Sequence, residues 1–570
     1  MKNALVARIL DEIADLLELE GVPFKPRAYR RAARAIADTP TPIEELVADG
    51  RVRDLPGVGE AIAEKVTEIV HTGKLRYHEE LKAKLPVDLH ALTQVDGVGP
   101  KTAKLLFEAL GVRTLDDLAQ AAQAGRIRTV KGLGDKVEEK IVRGLAEVRR
   151  TERRILLGRA LPLARELCRQ LLGTGLFHRV EPAGSLRRGK ETVGDLDLLA
   201  VSDRAEEAAA AFCALPAVEE VLAQGPKRAS VRLADGVQCD LRIVPHASFG
   251  AALQYFTGSK EHNIRLRERA VGRGLKLSEY GLFQADGSVV AGEDEAGVYA
   301  ALGLPFIPPE LREDRGEIAA AETGSLPTLV EVDAVTCDLH VHTDASDGEM
   351  SLEEAVEAAR ARGITCIAIT DHLKFAAAIP GLSPDDLRRQ IEAVRRLEER
   401  IPGFTILTGV EANIARDGTV DVPRDLLPEL DLVIASVHTH LRLGRAEMTE
   451  RLARAVEDEG VDVLGHPTGR LIGERPPYDA DWDEVFRRAA KSGTALEVNA
   501  HPQRLDLSGE LVRRALGFGV KVAIGTDAHV AGQFAHLELG VVTARRGWAA
   551  EGDVLNTLPP TALRAALKRG

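Results

Sequence analysis

Asp195 and Asp197 stand two residues apart in Gly194-Asp195-Leu196-Asp197-Leu198-Leu199, shortly after a glycine turn, Gly184-Ser185-Leu186-Arg187-Arg188-Gly189. Alternate residues of a strand share a face. Both carboxylates can therefore grip hard divalent cations, beside a turn whose backbone amides suit a phosphate. A second strand-like run, Val237-Gln238-Cys239-Asp240-Leu241-Arg242-Ile243-Val244, offers a third carboxylate in Asp240, with Arg242 on the same face. Two divalent ions held by the three would let one lower the pKa of an attacking hydroxyl while the other neutralises departing phosphate. The chemistry expected is nucleotidyl transfer.

A second constellation fills the last third of the chain. It begins Asp338-Leu339-His340-Val341-His342-Thr343-Asp344-Ala345-Ser346-Asp347 and continues through Thr370-Asp371-His372, Gly409-Val410-Glu411, Ser436-Val437-His438, Gly465-His466-Pro467 and Gly525-Thr526-Asp527-Ala528-His529. Each group follows a short apolar run, as side chains on the C-terminal rim of a βα barrel do. Mixed imidazole and carboxylate donors suit Mn²⁺, Zn²⁺ or Fe²⁺, and such a cluster can activate water and clamp a phosphate, so phosphoester hydrolysis is its natural reaction. Asp371 is expected to orient a neighbour rather than bind metal, and His440, on the face of His438, is given no role.

The elements that must hold these groups are legible in repeats and composition. A chain of 570 residues exceeds one hydrophobic core and implies several domains. Residues 1–315 balance 47 Lys and Arg against 47 Asp and Glu, whereas residues 316–570 carry 28 against 41, so the whole net charge of −13 lies in the C-terminal part. A polyanionic partner is thus expected on residues 1–315, where Lys25-Pro26-Arg27-Ala28-Tyr29-Arg30-Arg31-Ala32-Ala33-Arg34 makes a basic stripe. Three related segments occur there: Leu55-Pro56-Gly57-Val58-Gly59, Val95-Asp96-Gly97-Val98-Gly99 and the looser Val130-Lys131-Gly132-Leu133-Gly134. Each runs into helical apolar spacing, so each turn can present backbone amides to a phosphate. From about residue 151 helix and strand mix, and from 337 they alternate to the end, as parallel βα units do. The five cysteines form no C-x-x-C pair and fit a reducing compartment. No long uncharged apolar run or secretory leader stands out, so a soluble protein with no membrane partner is expected.

These motifs resemble two known families. Residues 1–315 look like a family X DNA polymerase, the group of the repair polymerase beta. The resemblance rests on the Gly184-Ser185 turn, Asp195, Asp197 and Asp240, and Tyr255-Phe256-Thr257-Gly258-Ser259. It implies Mg²⁺ or Mn²⁺ (two ions) on the three aspartates, and deoxynucleoside triphosphate contacts from Ser185, Arg188, Gly194, Arg154, Tyr255, Phe256, Gly258, Lys260 and Asn263. It also implies DNA contacts from Arg267 and from helix-hairpin-helix turns at Gly57, Gly59, Gly97 and Gly99. Two residues depart from the family pattern: Lys260 replaces an acidic residue and His262 an aromatic one. Lys65 falls where the family has its Schiff-base lysine, with Ala61 in place of a second lysine. Residues 337–570 resemble the PHP domain, named for polymerases and histidinol phosphatases, a distorted (βα)7 barrel with up to three metals. By that resemblance the ligands are His340, His342, Asp347, His372, Glu411, His438, His466, Asp527 and His529.

The expected class is multidomain α+β and α/β. A lyase-like helical domain spans 1–85, a second helix-hairpin-helix subdomain 86–150, a nucleotidyltransferase palm 151–245, a nascent-base-pair subdomain 246–315, a linker 316–336 and the PHP domain 337–570. The activity implied is short-gap repair synthesis on gapped or primer-template DNA, joined to 3′-to-5′ exonuclease, 3′-phosphatase or abasic-site cleavage. A monomer in the bacterial cytoplasm, at the nucleoid, is expected. Rival readings make the polymerase half an idle DNA-binding adaptor, or the PHP half a brace or small-molecule phosphatase.

Overall fold

A computed structural model describes the chain except residues 1, 20–21, 23–24, 38–42, 56, 85–86, 94, 96, 153, 235, 375–380 and 569–570. The described chain separates into two compact units, one spanning residues 1–153 and the other beginning at Arg154.

The first unit is helical. Apolar side chains from Val6 to Leu145 join in one core, so the two helical subdomains expected at 1–85 and 86–150 are halves of a single packed body. The three glycine repeats fold alike. Gly57, Gly97 and Gly132 sit at φ of 84°, 94° and 95°, a region that side chains other than glycine's rarely enter. Each turn is closed by a bond from the following residue, Val58, Val98 or Leu133, to the carbonyl three residues back. Helices then start at Glu60, Pro100 and Asp135. Buried Val58, Val98 and Leu133 fix each turn to the core.

The second unit opens with a five-stranded mixed sheet: β1 (Arg179–Pro182), β2 (Asp195–Val201), β3 (Val218–Gly225), β4 (Arg228–Leu233) and β5 (Gln238–Val244), in the order β1-β2-β5-β4-β3. Only β2 and β5 run parallel. Helices Phe249–Thr257 and Lys260–Gly272 follow, and then a three-stranded sheet.

The expectation of a linker at 316–336 is corrected. Glu317–Thr323 is a helix; Ala321 and Leu329 join the core formed with Leu266 and Tyr299, and Glu317 is fully buried against His262 at 2.6 Å. Small alanines gave the segment a linker-like composition, yet Ala321 is buried and Ile318 packs against the same core, one apolar face of a short helix. Cutting the chain at 315 would strip that partner from His262.

Seven parallel strands complete the unit: β6 (Cys337–Val341), β7 (Cys366–Ile369), β8 (Thr405–Asn413), β9 (Leu432–Ser436), β10 (Val463–Leu464), β11 (Ala495–Asn499) and β12 (Val522–Gly525), in sequence order. The ends of β6 and β12 meet through Val341 and Ala528, where the His342 amide donates to the Ala528 carbonyl at 2.9 Å, so the barrel is nearly closed. The strands are buried on both faces, as parallel sheets covered by helices are. Leu505 and Leu539 of the barrel pack into the palm core.

Candidate active sites

Parallel pairing of β2 with β5 sets Asp197 opposite Asp240. Alternation brings Asp195 to the same face, and one oxygen of each carboxylate lies within 4.8 Å of the others. Gathering three acids is unfavourable in itself. Burial first, then Asp195 and Asp240, push the Asp197 carboxyl up to about 7; Asp195 is also raised, first by burial and then by Asp240. Asp240 is steadied by the Ser230 hydroxyl and by Gln238 Nε2 at 3.2 Å. These acids form a donor set that a hard divalent cation would fit.

The turn expected to cradle phosphate is the short helix Gly184–Arg187, docked on β2 by a bond from the Ala183 amide to the Asp197 carbonyl at 2.8 Å. Gly184 has φ of 60° and faces Asp197, where an added Cβ would come within 2.2 Å of Oδ2. Ser185 is half-buried in this helix. Arg154 donates to Thr192 Oγ1 at 2.7 Å and adjoins Gly194 and Asp195. Arg188 lies against Gly258, with its guanidinium held by the Thr257 carbonyl and by Glu313 at 3.1 Å. Arg187, its neighbour, is bound by Glu295 at 2.9 and 2.6 Å.

Tyr255 and Phe256 meet edge to face at 5.1 Å, and Arg242 covers the Phe256 ring. Lys260 is exposed at the start of its helix, and Arg267 is half-buried further along. Asn263 is 8% exposed and uses both ends of its amide inside the fold, donating to the Tyr255 carbonyl and accepting from Gln254, each at 2.7 Å, which locks the Tyr255 segment. His262 is also internal, bonded to Glu317 at 2.6 Å and Tyr299 at 2.9 Å. The buried histidine thus replaces an aromatic with a hydrogen-bonded core group.

In the first unit Lys65 lines a cleft of about 510 Å³ with Lys25, Tyr29, Arg76 and Tyr77. Its ammonium lies 5.4 Å from the Tyr77 ring centre and donates to the Ala61 carbonyl.

At the mouth of the barrel all nine side chains that the PHP resemblance implies as ligands converge. Glu411 is the hub: Oε1 lies 3.0 Å from His466 and 3.2 Å from His438, while Oε2 lies 3.1 Å from His372, 3.4 Å from His340 and 3.5 Å from His342. Asp347 Oδ2 stands 3.4 Å from both His372 and His529, and Asp527 Oδ1 stands 3.3 Å from His342. Burial would raise the Glu411 carboxyl, but His372, His438 and His340 hold it well below the carboxylate range. Burial alone would lower His529, but Asp347 and Asp527 lift it to about 9.

Cations fit this donor set. His340 and His342 turn Nε2 atoms toward each other at 3.0 Å, and His342 Nδ1, His466 Nδ1 and Glu411 Oε1 are buried without a hydrogen-bond partner among the described residues. Such orphaned polar atoms are unfavourable unless an ion or water completes them. His466 and Asp527 also hold φ of 23° and 56°, strain of the kind that collects at working sites.

Sequence reasoning missed Glu497. It is 1% exposed on β11, accepts from His340 Nδ1 at 2.6 Å and from the His466 amide, and so fixes two ligands at once. A lone glutamate inside Ala495-Leu496-Glu497-Val498 was the signal. Asp371 behaves as expected, accepting from the Thr343 amide at 2.8 Å and from the Thr343 and Ser346 hydroxyls, which ties down the loop that carries Asp347. His440 is exposed.

Comparison with known proteins agrees with this division. Residues 1–75 match the model of a helix-hairpin-helix domain, 89–147 a SAM-like helix-hairpin-helix tandem, 252–313 the DNA polymerase beta thumb and 338–501 the PHP domain. The chain is 36% identical over 568 residues to the DNA polymerase/3′-5′ exonuclease PolX of Bacillus subtilis, a match covering 99% of each. Rat DNA polymerase lambda is 26% identical over 344 residues, 55% of this chain and 56% of that protein. A protein of Syntrophotalea carbinolica named "probable phosphatase" is 33% identical over 205 residues, 34% of this chain and 80% of its own.

Proposed function

We propose, from the premise that this chain belongs to the family X DNA polymerases carrying a C-terminal PHP domain, that it extends DNA primers at one site and hydrolyses DNA 3′ ends at another. The observation that carries the reading is two separate convergences of metal-binding side chains, Asp195, Asp197 and Asp240 on the palm and the nine groups around Glu411 in the barrel. The polymerase site is read as holding two ions, Mg²⁺ or Mn²⁺, and the barrel up to three of Mn²⁺, Zn²⁺ or Fe²⁺. Divalent ions there supply Lewis acidity to phosphoryl oxygens and acidify the attacking hydroxyl or water.

The chain's own residues position and neutralise. Gly194 and Arg154 border the carboxylates and, with Ser185 of the adjoining turn, are assigned to the incoming deoxynucleoside triphosphate. Arg188 joins them on release from Glu313. Gapped DNA is the substrate this arrangement serves, with helix-hairpin-helix turns on the sugar-phosphate backbone and the chain acting as a monomer in the bacterial cytoplasm. The likeness to a named phosphatase supports 3′-phosphatase activity at the barrel site. Primer extension and end-labelled degradation, run on wild type and on variants of each site, test the assignment; one substitution silencing both reactions would refute separate sites.

Lys260, exposed beside Gly258 and Ser259, is assigned to the nucleotide triphosphate. Lys260→Ala should weaken nucleotide binding roughly tenfold, the scale of one charge-assisted contact. Equilibrium titration of a gapped complex reads this directly, and unchanged affinity removes Lys260 from the site.

For Lys65, the neighbouring Lys25 and Arg76 make a cleft suited to a 5′-phosphate. If its amine also attacks an abasic aldehyde, borohydride should trap a covalent adduct in wild type and none in Lys65→Ala. Absence of a Lys65-dependent adduct would leave the residue a phosphate ligand only.

A further inference from the structure

Palm and barrel enclose a polar cleft of about 380 Å³. Its walls carry Lys190, Arg315, Arg470 and Arg546 against Glu191 and Glu510, an excess of two positive charges. Both acids are already engaged. Glu191 accepts from Arg470 at 3.1 and 2.8 Å, and Glu510 pairs with Arg315 at 3.2 Å. Lys190 and Arg546 are left to share one carboxylate, Glu313, at 3.8 and 3.2 Å, and Arg188 draws on the same group at 3.1 Å.

The crowding bears on the lysine itself. Burial lowers the Lys190 ammonium below its ordinary value; Glu313 opposes this, and Arg546, Arg188 and Arg315 add to it. Half-buried cations packed together are unfavourable unless an anion joins them. A helix start faces the same space: Ser508 and Gly509 line the cleft, and Gly509–Gly517 begins there with Ser508 as its cap. The first amides of a helix and its dipole favour negative charge.

We infer that this cleft binds a phosphate-bearing anion between the polymerase palm and the PHP barrel. Its walls run into the ligand-bearing segments of both candidate active sites, since Thr192 precedes Asp195 by three residues and Arg470 follows His466 by four. One chemistry then has two sources, a backbone phosphate of a strand passing between the sites or free pyrophosphate left by nucleotidyl transfer. The site itself stands on its own charges; only these sources rest on the polymerase reading.

The test uses full-length protein in EDTA, with pyrophosphate and a single-stranded oligonucleotide as probes, titrated against wild type and Lys190→Ala/Arg315→Ala. Those side chains are 35% and 42% exposed, so their loss spares the core. Arg169→Ala/Arg204→Ala, which removes two exposed palm charges, controls for net charge. Wild type should bind pyrophosphate without metal, and the double variant about a hundredfold more weakly, at roughly tenfold per cation removed. If oligonucleotide affinity falls as well, with its dependence of log affinity on log salt shallower by about 1.4 for two lost single-strand contacts, the source is backbone phosphate. A loss confined to pyrophosphate makes it the free anion. No binding by wild type, no loss for either probe, or an equal loss in the control would overturn the site. Primer extension and 3′ hydrolysis with Mn²⁺, assayed in parallel, would expose a failure of the polymerase reading independently.

Discussion

Asp197→Asn should abolish primer extension while leaving 3′-end hydrolysis intact. Metal-assisted stabilisation of transferring phosphate is worth several kcal/mol, and each 1.36 kcal/mol is a decade of rate, so extension should fall by about three decades or more. The same substitution should stabilise metal-free protein. Burial, with Asp195 and Asp240, raises the Asp197 carboxyl from 3.8 to about 7. Between pH ~4 and ~7 the unfolded chain has ionised this group and the folded chain has not, so folding stability drops as pH climbs through that window. Asparagine removes the penalty. Melting in EDTA at pH 5 and pH 8 should show the variant gaining on wild type at the higher pH, and equal gaps at both would mean Asp197 does not hold the proton. For the same reason Mn²⁺ uptake at the palm should weaken as pH falls below 7, because the ion must displace that proton.

His342→Ala should have the reverse phenotype. His342 is fully buried, stands 3.0 Å from His340 and 3.3 Å from Asp527, and belongs to two of the groups able to hold an ion among the described residues. Its removal should reduce end-labelled DNA degradation by about three decades on the same energetic scale, and lower bound manganese, with primer extension unchanged. His440→Ala, exposed and two residues from His438, is the control and should leave both reactions alone. Metal loading should also release protons, since burial lowers His529 but Asp347 and Asp527 hold it near 9, protonated at neutral pH. Calorimetry in buffers of differing ionisation enthalpy reads that release. Full nuclease activity in His342→Ala would end the assignment of the barrel site.

Part of the structure was hidden from the sequence because composition carries no address. Ala319-Ala320-Ala321 reads as a linker until Glu317 is seen beneath His262. Asn263 bonds both ends of its amide to the preceding helix, a link its residue type alone does not reveal. Arg188, assigned to the triphosphate, is held in this structure by Glu313, 125 residues later. Glu317 and Glu313 lie 55 and 125 residues from the groups they hold, and no local period or spacing reports such partners.

What the sequence alone determined is the chemistry: the carboxylates and imidazoles, their order, and the strand alternation that gives Asp195 and Asp197 one face. These are short-range properties, set by side-chain type and backbone period. Tertiary structure decided which of them meet. Parallel register places Asp240 opposite Asp197, near-closure of the barrel brings Asp527 and His529 onto His342 and Asp347, and Glu497 emerges as the carboxylate behind His340. Convergence of residues up to 189 positions apart, from His340 to His529, depends on how whole strands pack, and packing is a property of the assembled core rather than of any segment within it.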